Sequence, residues 1–368
     1  MTTQPNLPPV HPDWPQRYDD IMARQADAAV KISGAGQSSY NGKVVENTTG
    51  QGSYADWDGT IGYDQGYVAN AMKSVAAYSG HHHDPATLLT YRQAVQSMLH
   101  ENSHMLGPKG DVYAQSAPEY GTAHGRALEE GITEAWSRAH VNEYIAEMGF
   151  EKDAPGISGV VQRDAYPQFT PAATTLCDEL SKDTGLGGDE VMRRLNNESV
   201  RGKWPAAADM VFQSSGLQNQ LPAAEQDAAK QRIQTAMQNR FAQLPTLQGT
   251  PQQVELASMA TGVASVQAGR TEGATIRQEQ AQATAKAAQS QTQGQGQTQS
   301  QSQGQTQSQG QAPPQPAVGS PQHTMAMAQG GVAPLGGAQA LNADQFGSRR
   351  EGSHSGQGAE RTTPQRGE

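Results

Sequence analysis

Residues 100–104 read His-Glu-Asn-Ser-His, an HExxH motif. Histidines four positions apart on a helix lie on one face, so both imidazoles can reach a single ion at about 2.0–2.1 Å. Glu101 stands one position along, placed to take a proton from a water as that water attacks a carbonyl. This pattern predicts His100 and His104 as ligands of Zn2+ and Glu101 as the general base. The competing interpretation is a surface helix that happens to carry two histidines and a glutamate.

A catalytic zinc wants three protein ligands and one open position. Extending the motif as HExxHxxGxxH finds Gly107 in register, but Gly110 stands where the third ligand should be and Asp111 falls one residue further on. The segment Leu128-Glu129-Glu130-Gly131-Ile132-Thr133-Glu134-Ala135-Trp136 offers three carboxylates instead. On residue types alone Glu129, Glu130 and Glu134 all remain candidates, against the alternative of a solvated helix face.

That segment resembles the EGxxE second helix of the gluzincins, the thermolysin-like and aminopeptidase-like zinc peptidases of the zincin superfamily, with 25 residues between His104 and Glu130. The resemblance covers residues 60–150. It implies Glu130 as third metal ligand and Glu134 as the carboxylate that steadies a ligand histidine. It also implies that Thr60–Tyr63 is an edge strand able to pair with an extended peptide substrate. Asn102 departs from the family, which has an apolar residue there; on the core side of the helix its amide needs partners.

An electrophile is expected beside the metal to steady a tetrahedral oxyanion. Tyr113, Tyr120 and His124 lie between the two helices, and Tyr120 is the choice. The tract His81-His82-His83 precedes the motif helix and is taken as a solvated loop rather than a metal site. Residues 181–189 superficially suggest a calcium loop but lack its ligand spacing and terminal glutamate.

The elements that must position these side chains are partly visible. Asp84 suits an N-cap, Pro85 the first helical position, and Gly107–Pro108 an end to the run. Leu88, Tyr91, Val95, Met98, Leu99 and Leu106 gather on one side of this helix, nearly opposite His100 and His104. A second helix is predicted from about Thr122 to Met148, closed by Gly149, with Leu128, Ile132, Ala135 and Ala139 as its apolar face. Before them, a helix over 16–32 and short strands at Val44–Val45 and Thr60–Tyr63 are expected, the strands pairing with each other. After them come helices at Thr170–Lys182, Asp189–Asn196, Ala206–Gln213 and 222–245.

All four tryptophans, and every phenylalanine but Phe346, precede residue 242. The expected organisation is therefore an extended Pro-rich arm at 1–15 and a zincin-like domain at 16–245, with a helical subdomain at about 165–245. A linker or weak helix follows at 246–279, then a disordered Gln/Ser/Gly-rich tail at 280–368. The fold class is α+β, mostly helical with a small sheet. The single cysteine, Cys177, excludes an internal disulfide and is taken as a buried core thiol. The net charge of −10, with acidic and basic residues interspersed, argues against nucleic acid as a partner. No stretch approaches the ~20 apolar residues of a membrane span. The N-terminal segment lacks signal-peptide features, which points to the cytoplasm or to a non-classical export route.

Together these features predict a zinc-dependent metallopeptidase acting on a peptide or protein substrate. The rivals are a catalytically silent zincin-fold module that binds metal or peptide, and a dedicated effector or toxin-type peptidase.

Overall fold

The computed structural model describes residues 9–162 and 164–302, with side chains to residue 290. Helix α1 (Trp14–Ser33) ends where Gly34 takes a left-handed conformation, φ 69°, and its N–H bonds the carbonyl of Val30. Five short strands and a second helix follow around the motif helix: β1 (Gln37–Ser38), β2 (Val44–Asn47), β3 (Tyr54–Ala55), β4 (Ile61–Asp64), α2 (Asn70–Ala77), α3 (Pro85–His104) and β5 (Leu106–Gly107). The rest is helical: α4 (Ala117–Tyr120), α5 (Ala123–Met148), α6 (Phe150–Asp153), α7 (Thr170–Thr184), α8 (Gly188–Asn196), α9 (Val200–Ser214), α10 (Ala223–Phe241) and α11 (Pro251–Ser302). The chain is mostly helical with a small sheet, the α+β class expected. No helix among the described residues is long and apolar enough to cross a membrane.

The expected pairing of the two strand candidates is present, and parallel: Val44 faces Ile61 and Val45 faces Gly62. The edge-strand expectation for Thr60–Tyr63 fails. Strand β4 lies in the middle of the order β2-β4-β3, its other side taken by an antiparallel β3 with Tyr54 opposite Gly62. Its backbone groups face neighbouring strands on both sides, so an added substrate strand cannot pair there.

Helix α3 begins as its sequence demands: the Asp84 carboxylate accepts from the N–H groups of Ala86 and Thr87 at 2.9 and 3.1 Å. Its end differs. Gly107 is not the helix cap; Met105 is, and Leu106–Gly107 leave the helix to pair with Gln37–Ser38 as β5. The helix is also covered on both sides. From Ala94 to Gly107 every residue except Ser97 is buried, so the histidine face meets α5 rather than open solvent. The Asn102 amide finds partners in the core, donating to Met98 O at 2.8 Å, Gln25 Oε1 at 3.1 Å and Tyr63 Oη at 3.3 Å.

Helix α5 starts on Thr122, whose hydroxyl accepts from Gly125 N, and stops at Gly149, φ 78°. Ala127 to Ser137 are buried without a break, while Ala139 of the expected apolar face is exposed. Gly131 permits this enclosure, since a Cβ there would lie 2.8 Å from both Phe169 O and Ala173 Cβ of the α7 region. Cys177, on α7, is fully buried, and burial pushes its thiol pKa up.

The packed chain continues beyond residue 245. The segment expected as a linker or weak helix is α11, which packs against α7 and α10. Ser258, Ser265, Val266 and Ile276 are buried, and Gly262 sits so close to α7 that a Cβ would meet Ala172 O at 2.4 Å. The helix then runs on to Ser302 through residues expected to be disordered, with 281–290 exposed. Alanine and glutamine are good helix formers, and they prolong a helix already nucleated by packing. The remainder of the expected tail, 303–368, and residues 1–8 of the arm lie outside the described residues.

Candidate metal centre

Among the described residues, one group of His, Cys, Asp and Glu side chains is compact enough to hold a metal ion: His100, His104 and Glu130, with donor atoms within 4.8 Å of one another. Helix α3 supplies the two imidazoles and α5 the carboxylate. The Nε2 atoms lie 3.2 Å apart, and Glu130 Oε2 stands 3.4 Å from His100 Nε2 and 3.8 Å from His104 Nε2. All three residues are at most 8% exposed. The solvated-surface alternatives for the motif and for the glutamate pair are thereby excluded.

Each imidazole is held from behind. His100 Nδ1 is 3.0 Å from Glu134 Oε2, and the same carboxylate accepts from Gln96 Nε2 at 2.8 Å and Ala165 N at 3.2 Å. His104 Nδ1 is 2.8 Å from Glu129 Oε1, which also takes the Thr133 hydroxyl at 3.3 Å. A carboxylate only accepts, so each Nδ1 carries a proton and each Nε2 turns inward. Two ring nitrogens 3.2 Å apart need a proton or a cation between them. Glu130 adds to the imbalance: its Oε1 accepts a short hydrogen bond from the Tyr120 hydroxyl, but its buried Oε2 has no hydrogen-bond partner. A buried carboxylate oxygen facing two imidazole nitrogens is a set of donors that fits a cation.

The electrostatics follow from this crowding. Burial opposes ionisation of Glu130, yet the imidazoles and the Tyr120 hydroxyl pull its pKa down to about 2. Burial disfavours the His100 imidazolium, but Glu130 and Glu134 outweigh it and hold the pKa well above the ordinary imidazole value. Glu101 is 7% exposed, and no side chain among the described residues hydrogen-bonds its carboxylate. Burial raises its pKa; the two histidines oppose this, and Glu130 and Glu134 reinforce it. A raised carboxylate is a better proton acceptor than a surface one.

The structure brings together all the principal residues expected from sequence. It separates the three carboxylates by role: Glu130 faces the donor cluster, Glu134 holds His100, and Glu129 holds His104. Tyr120 reaches the site, with its hydroxyl committed to Glu130. Tyr113 is buried nearby, 4.7 Å ring to ring from Trp57, its phenol pKa raised by burial and then by Glu129, Glu101 and Glu130. His124 is elsewhere, 3.4 Å from Glu119, and Asp111 pairs with Arg201.

Three contributors, Tyr166, Gln96 and Lys203, are not singled out by the sequence, and a fourth, Glu129, takes a different part from the one expected. Tyr166 lies flat on the His100 ring, 5.3 Å between centroids and 5° from parallel. Gln96 holds Glu134, and its position four before His100 was the available signal. Glu129 appeared only as a rival ligand. Lys203, from α9, reaches Glu129 Oε2 at 2.9 Å across a long sequence separation. No protein-family model, no curated protein and no solved structure matches the chain.

Proposed function

We propose that this chain is a zinc-dependent metallopeptidase with a zincin-like arrangement of its α3–α5 helix pair. The observation that carries the proposal is the triangle of donor atoms, with edges of 3.2, 3.4 and 3.8 Å. Donors at about 2.0–2.2 Å from one tetrahedral ion stand about 3.3–3.6 Å apart, so the triangle needs only a few tenths of an ångström of adjustment to hold zinc. Two neutral imidazoles and a carboxylate are the donor set of many hydrolytic zinc sites.

His100, His104 and Glu130 would hold the ion, which when bound polarises a carbonyl and lowers the pKa of water. The chain's own residues do the rest. Glu134 and Glu129 fix both imidazoles with Nε2 inward. Tyr120 fixes the Glu130 carboxylate. Glu101 takes the proton of the attacking water at a carboxylate oxygen and passes it to the leaving amine. Burial excludes competing solvent from these charges and strengthens them.

A second reading, a module that binds metal or peptide without turnover, is favoured by the same enclosure. His100, Glu101, His104 and Glu130 are only 4–8% exposed, which leaves little open surface for a peptide. One experiment separates the two. Zinc-loaded protein is assayed against a fluorogenic peptide pool and unfolded casein, beside Glu101→Gln. Hydrolysis that falls at least ~100-fold in Glu101→Gln while zinc is retained supports the peptidase. Full zinc occupancy with no hydrolysis of any substrate supports the binding module, and unchanged turnover in Glu101→Gln removes that residue from the mechanism.

A further inference from the structure

Lys203 is 1% exposed and Glu129 is fully buried. The lysine lies in the first turn of α9; its Nζ donates to Glu198 O at 2.7 Å and forms an ion pair with Glu129 Oε2 at 2.9 Å. The other oxygen of that carboxylate is the one bound to His104 Nδ1. The chain of contacts therefore runs from Lys203 Nζ through both oxygens of Glu129 to the imidazole ring. Its far end is anchored. The neighbouring Trp204 is 1% exposed, its indole N–H bonds His124 O at 3.2 Å, and its ring packs edge-on against Phe241, 5.1 Å between centroids.

Stability alone does not explain this pair. Desolvating a lysine and a glutamate costs about as much as their attraction returns, and apolar residues of similar size commonly do as well or better. What an apolar pair could not do is hold a carboxylate in one orientation. We propose that Lys203 is a positioning residue for the metal centre, fixing the Glu129 carboxylate so that His104 presents Nε2 to the ion. The two histidines then differ in how they are supported. His100 depends on groups of α3, α5 and the loop before α7, whereas His104 depends on α9. Packing of α9 on α5 thereby becomes a condition for tight metal binding. This inference rests on the metal-site reading given above.

The test is a double-mutant cycle on the full chain: wild type, Lys203→Met, Glu129→Gln, and both together. Zinc affinity is read by competition with a chelating dye, and folding of the metal-free proteins by circular dichroism. Lys203→Met should bind one zinc at saturation with affinity lower by about 10–100-fold, the usual loss when a partner behind a ligand is removed. In the Glu129→Gln background the same substitution should cost less than about threefold, because the carboxylate it acts through is gone. Imidazole 15N shifts of the metal-free wild type should place the His104 proton on Nδ1, and Lys203→Met should disturb that resonance while leaving His100 unchanged. Affinity within twofold of wild type, or equal losses in both backgrounds, overturns the role of Lys203. Should Lys203→Met not fold, the same cycle with Lys203→Arg decides by the same criterion of coupling to Glu129. A wild type that binds no zinc would instead sink the metal reading itself, which separates the two failures.

Discussion

The α3–α5 and α10–α11 interfaces both join long helices, but they are built from opposite materials. Between α3 and α5 lie His100, His104, Glu129, Glu130, Glu134 and Gln96, none more than 8% exposed. Between α10 and α11, Ile233 and Met237 pack against Gly269, while charge is kept to the rim, where Arg232 meets Glu272 and Glu279 at 2.7 Å. Burying many ionisable groups is unfavourable unless each is matched, so the first interface answers to more than packing. The second follows ordinary packing, where lost apolar contact sets the penalty. Stability and metal binding should therefore be separable by mutation.

The largest effect on stability is expected at the apolar interface. Met237 is fully buried, and a Cβ on Gly269 would already come within 2.9 Å of its Cγ. Met237→Ala should lower unfolding free energy by about 2–5 kcal/mol in denaturant titration, with zinc affinity of the folded protein unchanged. A large loss of affinity would show that the two interfaces are coupled. Glu134→Gln should do the reverse. It should weaken zinc by about 10–100-fold while leaving one ion per chain at saturation, and competitive titration measures this. The smallest effect is expected at the rim: Arg232→Ala should shift unfolding by about 0–1 kcal/mol, less at high salt, since Arg232 and Glu279 are exposed and Glu272 only half-buried. A cost well above that would mean the ion pairs, rather than the apolar stripe, hold α11 in place.

The same two regions differ in how much of them can be seen in sequence. Helix α3 was legible because local chemistry determines it: Asp84 caps it, Pro85 opens it, and the four-residue spacing of His100 and His104 fixes their common face. Helix α5 and Glu130 were legible through a motif. Lys203 was not, because its meaning depends on α9 crossing α5. Pro205 also makes the helix look as though it begins at Ala206, whereas it begins at Val200. Strand β3 is only Tyr54–Ala55, too short for any alternation to mark it, and without it Thr60–Tyr63 looks like an edge. The packing of helix α11, expected only as a linker or weak helix, is hard to see in sequence because its seam is built mostly from small side chains. Ser258, Gly262, Ser265, Gly269 and Ile276 recur every three to four residues, or double that, and let α7 and α10 approach closely with few large apolar residues to signal it.

If His100, His104 and Glu130 hold one metal ion, elemental analysis and zinc titration will detect it. Purified full-length protein, stripped with chelator and reloaded, should take up one zinc per chain. Glu130→Gln should bind far more weakly than Glu134→Gln, because it replaces the anionic donor itself rather than a group behind a donor. A wild type that takes up no zinc or other divalent ion after reloading, or a Glu130→Gln protein that binds as tightly as wild type, would show that these three side chains do not form a metal site.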